Sequence, residues 1–253
     1  MLENQLPIAP VDAIMPAVND IFSVATLVLM VLLLAWTLYE CWRVKSPMYL
    51  LILIGGTLCF LQEPIVDHLG AVWYPQHQQS VTVWRAFNVS LPLWVVPGYG
   101  LYVGGLAIYL YKKLSTGVTV SRLWTTYFVI WMLNMLLELP QLALGTYSYF
   151  GDVPFKILGF PLTWAMTNAT IMMLSAAVLI AYKDFLVGLK LVFVPVLVTM
   201  ANATAQSANG YPLFLALNSG AGSATRLMAG CVTIGFCFLT IHLISLKFCQ
   251  RAR

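Results

Sequence analysis

Seven apolar stretches, each about 20 residues long, run through this chain. A helix of about 20 residues crosses the hydrocarbon core of a bilayer, because it rises about 1.5 Å per residue. Charged residues make up only 9% of the sequence, whereas soluble domains carry about 25%. The stretches therefore predict an all-α fold class. One domain, residues 1–253, is expected to form an integral membrane bundle of seven transmembrane helices.

The predicted helices have approximate bounds, and the first is expected to be retained. Signal peptides begin with positive charge, but the residues before the first stretch carry acidic side chains. The predicted helices cover 18–40, 47–67, 92–112, 121–142, 160–182, 187–207 and 225–247.

Basic side chains predict the orientation of the bundle, since cytoplasmic loops carry an excess of Lys and Arg. Ten of the 13 basic residues fall on one side: Arg43, Lys45, Lys112, Lys113, Arg122, Lys183, Lys190, Lys247, Arg251 and Arg253. The other side holds Arg85, Lys156 and Arg226. This bias predicts an N-terminus outside and a C-terminus in the cytoplasm.

Three carboxyl groups lie at the outer ends of predicted helices 2 and 4. Glu63 and Asp67 are one turn apart on helix 2, and Glu138 lies on helix 4. An ionisable group at such a position is costly to bury, which makes it a candidate functional residue. Neighbouring carboxyls oppose each other's ionisation, so one can remain protonated while another is ionised. Pro64 disfavours a helical conformation at Glu63 and predicts a break or kink there.

Polar pairs recur at i, i+4 in the outer halves of several predicted helices, which places each pair on one helical face. These pairs are Asn134 with Glu138, Trp164 with Asn168, and Asn202 with Gln206. Lipid-facing polar groups would be unsatisfied, so we expect these faces to point inward. Hydrogen bonding between helices is the favoured interpretation of the amides Asn134, Asn202 and Gln206. Arg226 begins helix 7 at the same level. It is expected either to bind the substrate or to serve as the counter-ion of the glutamates.

Two outer loops, 69–91 and 143–160, are rich in aromatic residues and glycine. They are interpreted either as an aromatic belt at the membrane interface or as a lid over the carboxyl groups. His68 and His77 could bind a metal together with Asp67 or Glu63, but their spacing matches no familiar site. We therefore expect neither a metal nor another cofactor.

Four segments resemble a known family. They are Gln-Glu-Pro-Ile-Val-Asp at 62–67, Leu-Pro-Leu-Trp at 91–94, Glu138 followed by Gly-Thr-Tyr-Ser-Tyr-Phe-Gly at 145–151, and the helix start at 161–168. Together they resemble the spirocyclase AveC-like membrane proteins of polyketide biosynthesis. Asp67 stands where the family pattern has Asn. The resemblance implies a cyclase that closes a hydroxy-ketone into a spiroketal, sometimes with a dehydration.

The expected function is acid–base catalysis by carboxyl groups on a lipophilic small molecule within the bilayer. Ketal closure needs an acid that helps water to leave and a base that accepts the hydroxyl proton. We expect Glu63 to be the acid and Glu138 or Asp67 the base. The expected substrate-binding residues are His68, Trp94, Asn134, Tyr147, Tyr149, Trp164, Asn168, Asn202 and Arg226.

Two alternatives remain open at this stage. A seven-helix terpene cyclase would protonate an epoxide or alkene with a similar carboxyl group. A transporter or receptor would have no catalytic role, but the cytoplasmic halves of the predicted helices are nearly all apolar, with His242 the main exception. A retinal-binding protein would need a lysine deep in the last helix, which has none before Lys247. The distribution of basic residues does not suggest a nucleic-acid partner.

Overall fold

The computed structural model describes residues 6–249, of which most are helical. The first two helical stretches are α1 (Val18–Val44), and α2 (Met48–Leu58) followed by a 3-10 turn (Cys59–Gln62) and α3 (Glu63–Gly70). The next two are α4 (Val95–Tyr99) with a π-helical turn (Gly100–Gly105) and α5 (Leu106–Ser115), and then α6 (Val120–Ala143). The last three are α7 (Leu162–Ala181), a 3-10 turn (Gly188–Val192) with α8 (Phe193–Ala203), a second π-helical turn (Thr204–Asn209) and α9 (Gly210–Asn218), and α10 (Ser223–Phe248).

Five helical stretches in the described residues are long and apolar enough to cross a membrane. They are Val18–Val44, Met48–Gly70, Leu162–Ala181, Gly188–Asn218 and Ser223–Phe248. The stretches at 95–115 and 120–143, which match predicted helices 3 and 4, are not among these five. The five spans favour a membrane protein, whereas the count of seven remains a prediction.

Two predicted helix boundaries are wrong. Helix 3 was expected to begin at 92, but Leu91 and Pro92 belong to a strand and the helix begins at Val95. Helix 6 was expected to end at 207, but it continues through the π-helical turn to Asn218. The apolar residues after 209 allow α9 to bury one face. Arg251 and Arg253 lie outside the described residues.

The expected irregularity near Pro64 occurs one turn earlier than predicted. The helix tightens into the 3-10 turn at Cys59–Gln62, and Glu63 itself is helical, with φ −53° and ψ −49°. The predicted non-helical conformation of Glu63 is therefore wrong. Pro64 occupies the first turn of α3, where its fixed φ suits a helix and no hydrogen bond is lost.

The two long loops contain short strands that an all-α description omits. β1 (Val72–Trp73) pairs with β4 (Ser148–Tyr149), so the two loops are joined antiparallel. β2 (Thr82–Ala86) and β3 (Val89–Pro92) form a hairpin, and β5 (Lys156–Ile157) pairs with β6 (Phe160–Pro161). We call the end of the bundle that carries these strands the strand end. The strands hold the loops over the ends of α3 and α6.

The most buried helix is α7, which packs against α5, α6, α8 and α10. Glycines allow the closest approach elsewhere in the bundle, because a Cβ at Gly56 of α2 would overlap the backbone of Gly104. Such small residues let neighbouring helices in membranes come into backbone contact. This packing leaves a space at the strand end, between α3, α6 and the stretch 95–115.

Candidate active site

A cavity of about 410 Å³ lies at the strand end and brings the three carboxyl groups together. Glu63 and Asp67 reach it from α3, and Glu138 reaches it from α6. Aromatic side chains form much of its wall: Tyr74, Trp94, Tyr99, Tyr102, Tyr147, Tyr149 and Trp164. Most of the remaining lining is aliphatic, with Asn134, Gln141 and Asn168 as the amides. The cavity therefore combines an apolar wall with a few ionisable groups.

Glu63 is held by two phenol groups from different parts of the chain. The Tyr74 hydroxyl, which lies in the loop after β1, donates a hydrogen bond of 3.2 Å to Oε1. The Tyr99 hydroxyl, at the end of α4, donates to Oε2. Both carboxyl oxygens of Glu63 thus accept a hydrogen bond, and this favours the charged form of the group.

Glu138 has a comparable arrangement on the other side of the cavity. Asn134, one turn earlier on α6, donates from Nδ2 to Oε1 at 3.1 Å. The Tyr147 hydroxyl donates to Oε2. Tyr147 directly precedes β4, so the pairing of β4 with β1 also positions the phenol that contacts Glu138.

Asp67 differs from both glutamates. Its side chain is buried, with 1% of the residue exposed, and its Oδ2 has no hydrogen-bond partner among the described residues. It lies one helical turn from Glu63 and lines the same cavity as Glu138. No Lys, Arg or His is among the described residues that line the cavity.

An amide chain connects Glu138 to the interior of the bundle. Gln206 donates from Nε2 to Oδ1 of Asn168 at 2.7 Å, and Asn168 donates from Nδ2 to Oδ1 of Asn134 at 3.2 Å. Asn134 then donates to Glu138. All three bonds point in the same direction, so the chain fixes the amide orientations and presents a donor to the carboxyl group.

The aromatic wall is a set of mutually packed rings. The ring centroid of Tyr74 lies 5.9 Å from that of Trp94 and 5.6 Å from that of Tyr147. Tyr149 continues the set, at 5.9 Å from Tyr147 and 5.7 Å from Trp164. Aromatic faces attract cations within about 6 Å, so this wall suits a reaction in which positive charge develops in the cavity.

Two phenol groups of the loops, those of Tyr74 and Tyr149, are shielded from ionisation by their burial. Burial raises the pKa of Tyr74 well above its usual value. Burial likewise raises the pKa of Tyr149, with Glu138 as the next contribution. Both side chains therefore stay neutral and keep their hydroxyl protons.

Nine of the predicted site residues line this cavity, and three do not. The nine are Glu63, Asp67, Trp94, Asn134, Glu138, Tyr147, Tyr149, Trp164 and Asn168. His68 is directed elsewhere, because one residue along a helix turns the side chain by about 100°. It packs on Phe87, with ring centroids 5.8 Å apart, and lines a separate surface cavity.

Asn202 and Arg226 also do not line the cavity. The favoured interpretation of Asn202, a hydrogen bond between helices, is confirmed. Asn202 donates from Nδ2 to Oε1 of Gln62 at 2.8 Å and so ties α8 to the 3-10 turn. Arg226 pairs with Asp152 at 3.6 Å instead of with Glu138. The reason is that α10 begins beside the loop 143–160, away from α3 and the end of α6.

The sequence-based site prediction omitted Tyr99, Tyr102 and Gln141, and it left Tyr74 among the loop aromatics. Tyr99 and Tyr102 are three residues apart in an otherwise apolar helix, and Gln141 lies three residues after Glu138. This helical spacing was a usable signal for Gln141 and the two tyrosines. No local pattern indicated that Tyr74 would reach Glu63, since that contact depends on the loop conformation.

Comparisons with protein-family models, with curated proteins and with solved structures give no match. Among residues 6–249, no group of three His, Cys, Asp or Glu side chains is placed to hold a metal ion.

Proposed function

We propose that this protein is a membrane-embedded cyclase that forms a cyclic ether or spiroketal from a lipophilic hydroxy-ketone. The observation that carries the proposal is the meeting of Glu63, Asp67 and Glu138 in one aromatic-walled cavity. The resemblance to spirocyclase AveC-like proteins supports the same reaction class. The resembling segments supply all three carboxyl groups together with Trp94, Tyr147, Tyr149 and Trp164.

Ketal closure suits such a cavity. A carboxylic acid protonates the hydroxyl of a hemiketal carbon, the C–O bond breaks, and water leaves an oxocarbenium ion. A second hydroxyl of the substrate then attacks this carbon, and a carboxylate accepts its proton. The aromatic wall stabilises the cationic intermediate, and the shape of the cavity sets the face that the hydroxyl attacks.

Unmatched polar atoms around the cavity favour an oxygenated substrate. The Tyr102 hydroxyl, Oε1 of Gln141 and Nε1 of Trp164 are buried without a partner among the described residues. Buried polar groups normally have hydrogen-bond partners, so a substrate that carries both donors and acceptors would complement these residues after small side-chain movements. A hydrocarbon would leave them unmatched.

The proposal includes a seven-helix membrane topology. In it, the stretches 95–115 and 120–143 cross the bilayer together with the five apolar spans. The strand end faces outward, the N-terminus is outside and the C-terminus is cytoplasmic, following the excess of basic residues at the other end. A lipophilic substrate would then reach the carboxyl groups from the outer half of the bilayer.

Metabolite profiling of a strain that lacks the gene, followed by assay of the accumulated compound, tests the reaction. Membranes that contain wild-type protein, Glu63→Gln, Glu138→Gln or the double variant would be compared with authentic substrate. We expect each single variant to lose at least about 10²-fold in turnover, as is typical for acid–base groups. The double variant should lose little more, because groups that act as a unit are not additive.

Asp184→Asn is the matched control, since Asp184 is an exposed carboxylate outside the cavity. It should retain wild-type turnover. Near-normal product formation by well-folded Glu63→Gln and Glu138→Gln would contradict the proposal. Accumulation of a prenylated epoxide or alkene in the deletion strain would instead support a terpene cyclase, which the aromatic wall would also suit.

A further inference from the structure

We infer that Asp67 holds the proton that the site delivers, and that Glu63 and Glu138 are acceptors fixed by hydrogen bonds. This assignment differs from the sequence-based expectation, in which Glu63 is the acid. Asp67 is protonated in the resting protein, before any substrate binds. Its catalytic use rests on the proposed function.

Hydrogen-bond donors are distributed unequally among the three carboxyl groups. Glu63 accepts from Tyr74 and Tyr99, and Glu138 accepts from an amide and a phenol. Hydrogen bonds to the charged form of a carboxyl group favour that form. Oδ2 of Asp67 receives none among the described residues. The donors therefore favour negative charge on either glutamate over negative charge on Asp67.

A negative charge on Asp67 would be costly. The residue is 1% exposed, and burying an ionised carboxylate without a partner costs far more than burying a neutral polar group. In practice such a group takes up a proton instead. Asp67 can therefore remain in place as a carboxylic acid at neutral pH.

The groups that face Asp67 from the neighbouring elements also disfavour its ionisation. The other titratable residues that line its cavity are two glutamates and five tyrosines: Glu63, Glu138, Tyr74, Tyr99, Tyr102, Tyr147 and Tyr149. None of these supplies a positive charge, and the described lining contains no basic residue. Negative charge on either glutamate opposes ionisation of Asp67, since like charges that share a site disfavour it.

The assignment completes the proposed reaction. The Asp67 proton passes to the leaving hydroxyl, the C–O bond breaks and water departs, which leaves Asp67 as a carboxylate. The attacking hydroxyl forms the new C–O bond, and its proton passes to Glu63 or Glu138. One proton leaves the cavity groups and one returns to them. Transfer of a proton from the glutamate back to Asp67 restores the starting state.

Infrared spectroscopy tests the protonation directly, without any substrate. A protonated carboxyl group has a C=O stretching band that is separate from the carboxylate bands. Full-length protein in lipid at pH 7 would be compared unlabelled and with ¹³C-aspartate. We expect the label to shift this band, and Asp67→Asn to abolish it. A band that keeps its position in the ¹³C-aspartate protein, or the absence of such a band, would overturn the inference even if every variant folds poorly.

A substrate analogue tests the catalytic use of the proton. The analogue is a ketal that carries nitrophenolate as its leaving group, and nitrophenolate leaves without being protonated. This analogue should therefore restore most of the activity that Asp67→Asn loses with the natural hydroxyl leaving group. Glu63→Gln should gain no such rescue. Equal rescue of both variants, or of neither, would overturn the role of Asp67. If every variant kept full activity with the natural substrate, the proposed function would be contradicted, while the infrared result on Asp67 would stand.

Discussion

The hydroxyl of Tyr74 donates a hydrogen bond of 3.2 Å to Oε1 of Glu63. Tyr74 follows β1, which pairs with β4, so this bond connects the conformation of the two loops to a carboxyl group on α3. The loops therefore do more than cover the cavity. They supply donors that determine which carboxyl oxygens remain available to a ligand.

Tyr99→Phe should lower both stability and activity, because it leaves Oε2 of Glu63 without its phenol donor. The loss of one partner of a buried hydrogen bond costs about 1–3 kcal/mol. Thermal unfolding of the protein in lipid nanodiscs measures this effect. Tyr102→Phe is the matched control, since the Tyr102 hydroxyl is buried without a partner and its removal should cost little. Equal destabilisation by the two substitutions would contradict the assigned contact.

Asn168→Leu should destabilise the protein by about 1–3 kcal/mol, since unpaired buried polar groups carry such a cost. The substitution removes the donor to Asn134 and the acceptor of Gln206. Chemical unfolding monitored by tryptophan fluorescence measures the change. Ser175→Ala on the same helix removes only a bond to the carbonyl of Ile171. An Asn168→Leu protein that is as stable as Ser175→Ala would argue against a continuous amide chain.

Gly56→Ala should destabilise the bundle by about 1–3 kcal/mol, which is typical of overpacking. The added Cβ would overlap the backbone of Gly104, which cannot move aside as a flexible side chain would. Gly235→Ala provides the comparison, because no heavy atom within 4 Å would meet its Cβ. Melting temperatures of the two variants, purified in the same lipid, should differ clearly. A normal melting temperature for Gly56→Ala would mean that α2 and the π-helical turn are farther apart in the bilayer.

Cysteines introduced at 77 and 152 should react with an impermeant thiol reagent added from outside, because both positions are exposed at the strand end. A cysteine at 184 should react only after the membrane is opened. Labelling of the unmodified protein corrects for its native cysteines, of which Cys231 is exposed. The reverse pattern would place the strand end and its cavity in the cytoplasm.

Local periodicity was sufficient to group the residues that share one helical face. Glu63 with Asp67, Asn134 with Glu138, and Trp164 with Asn168 are each four residues apart, and all six line the cavity. The periodicity works because a helix returns to the same face after about one turn. The same rule separates His68 from Asp67, although the prediction assigned both to the site. The catalytic and binding roles of these residues remain predictions.

The sequence by itself determined the apolar helical stretches and the helical faces that carry carboxyl and amide groups, because both follow from spacing within one helix. Only the tertiary structure decided which distant groups complete each face. Tyr74 and Tyr99 reach Glu63 through a strand pairing and a helix contact, and Arg226 reaches Asp152 because of where α10 begins. Contacts between separate elements depend on how the elements pack, and a spacing rule within one element does not contain that information.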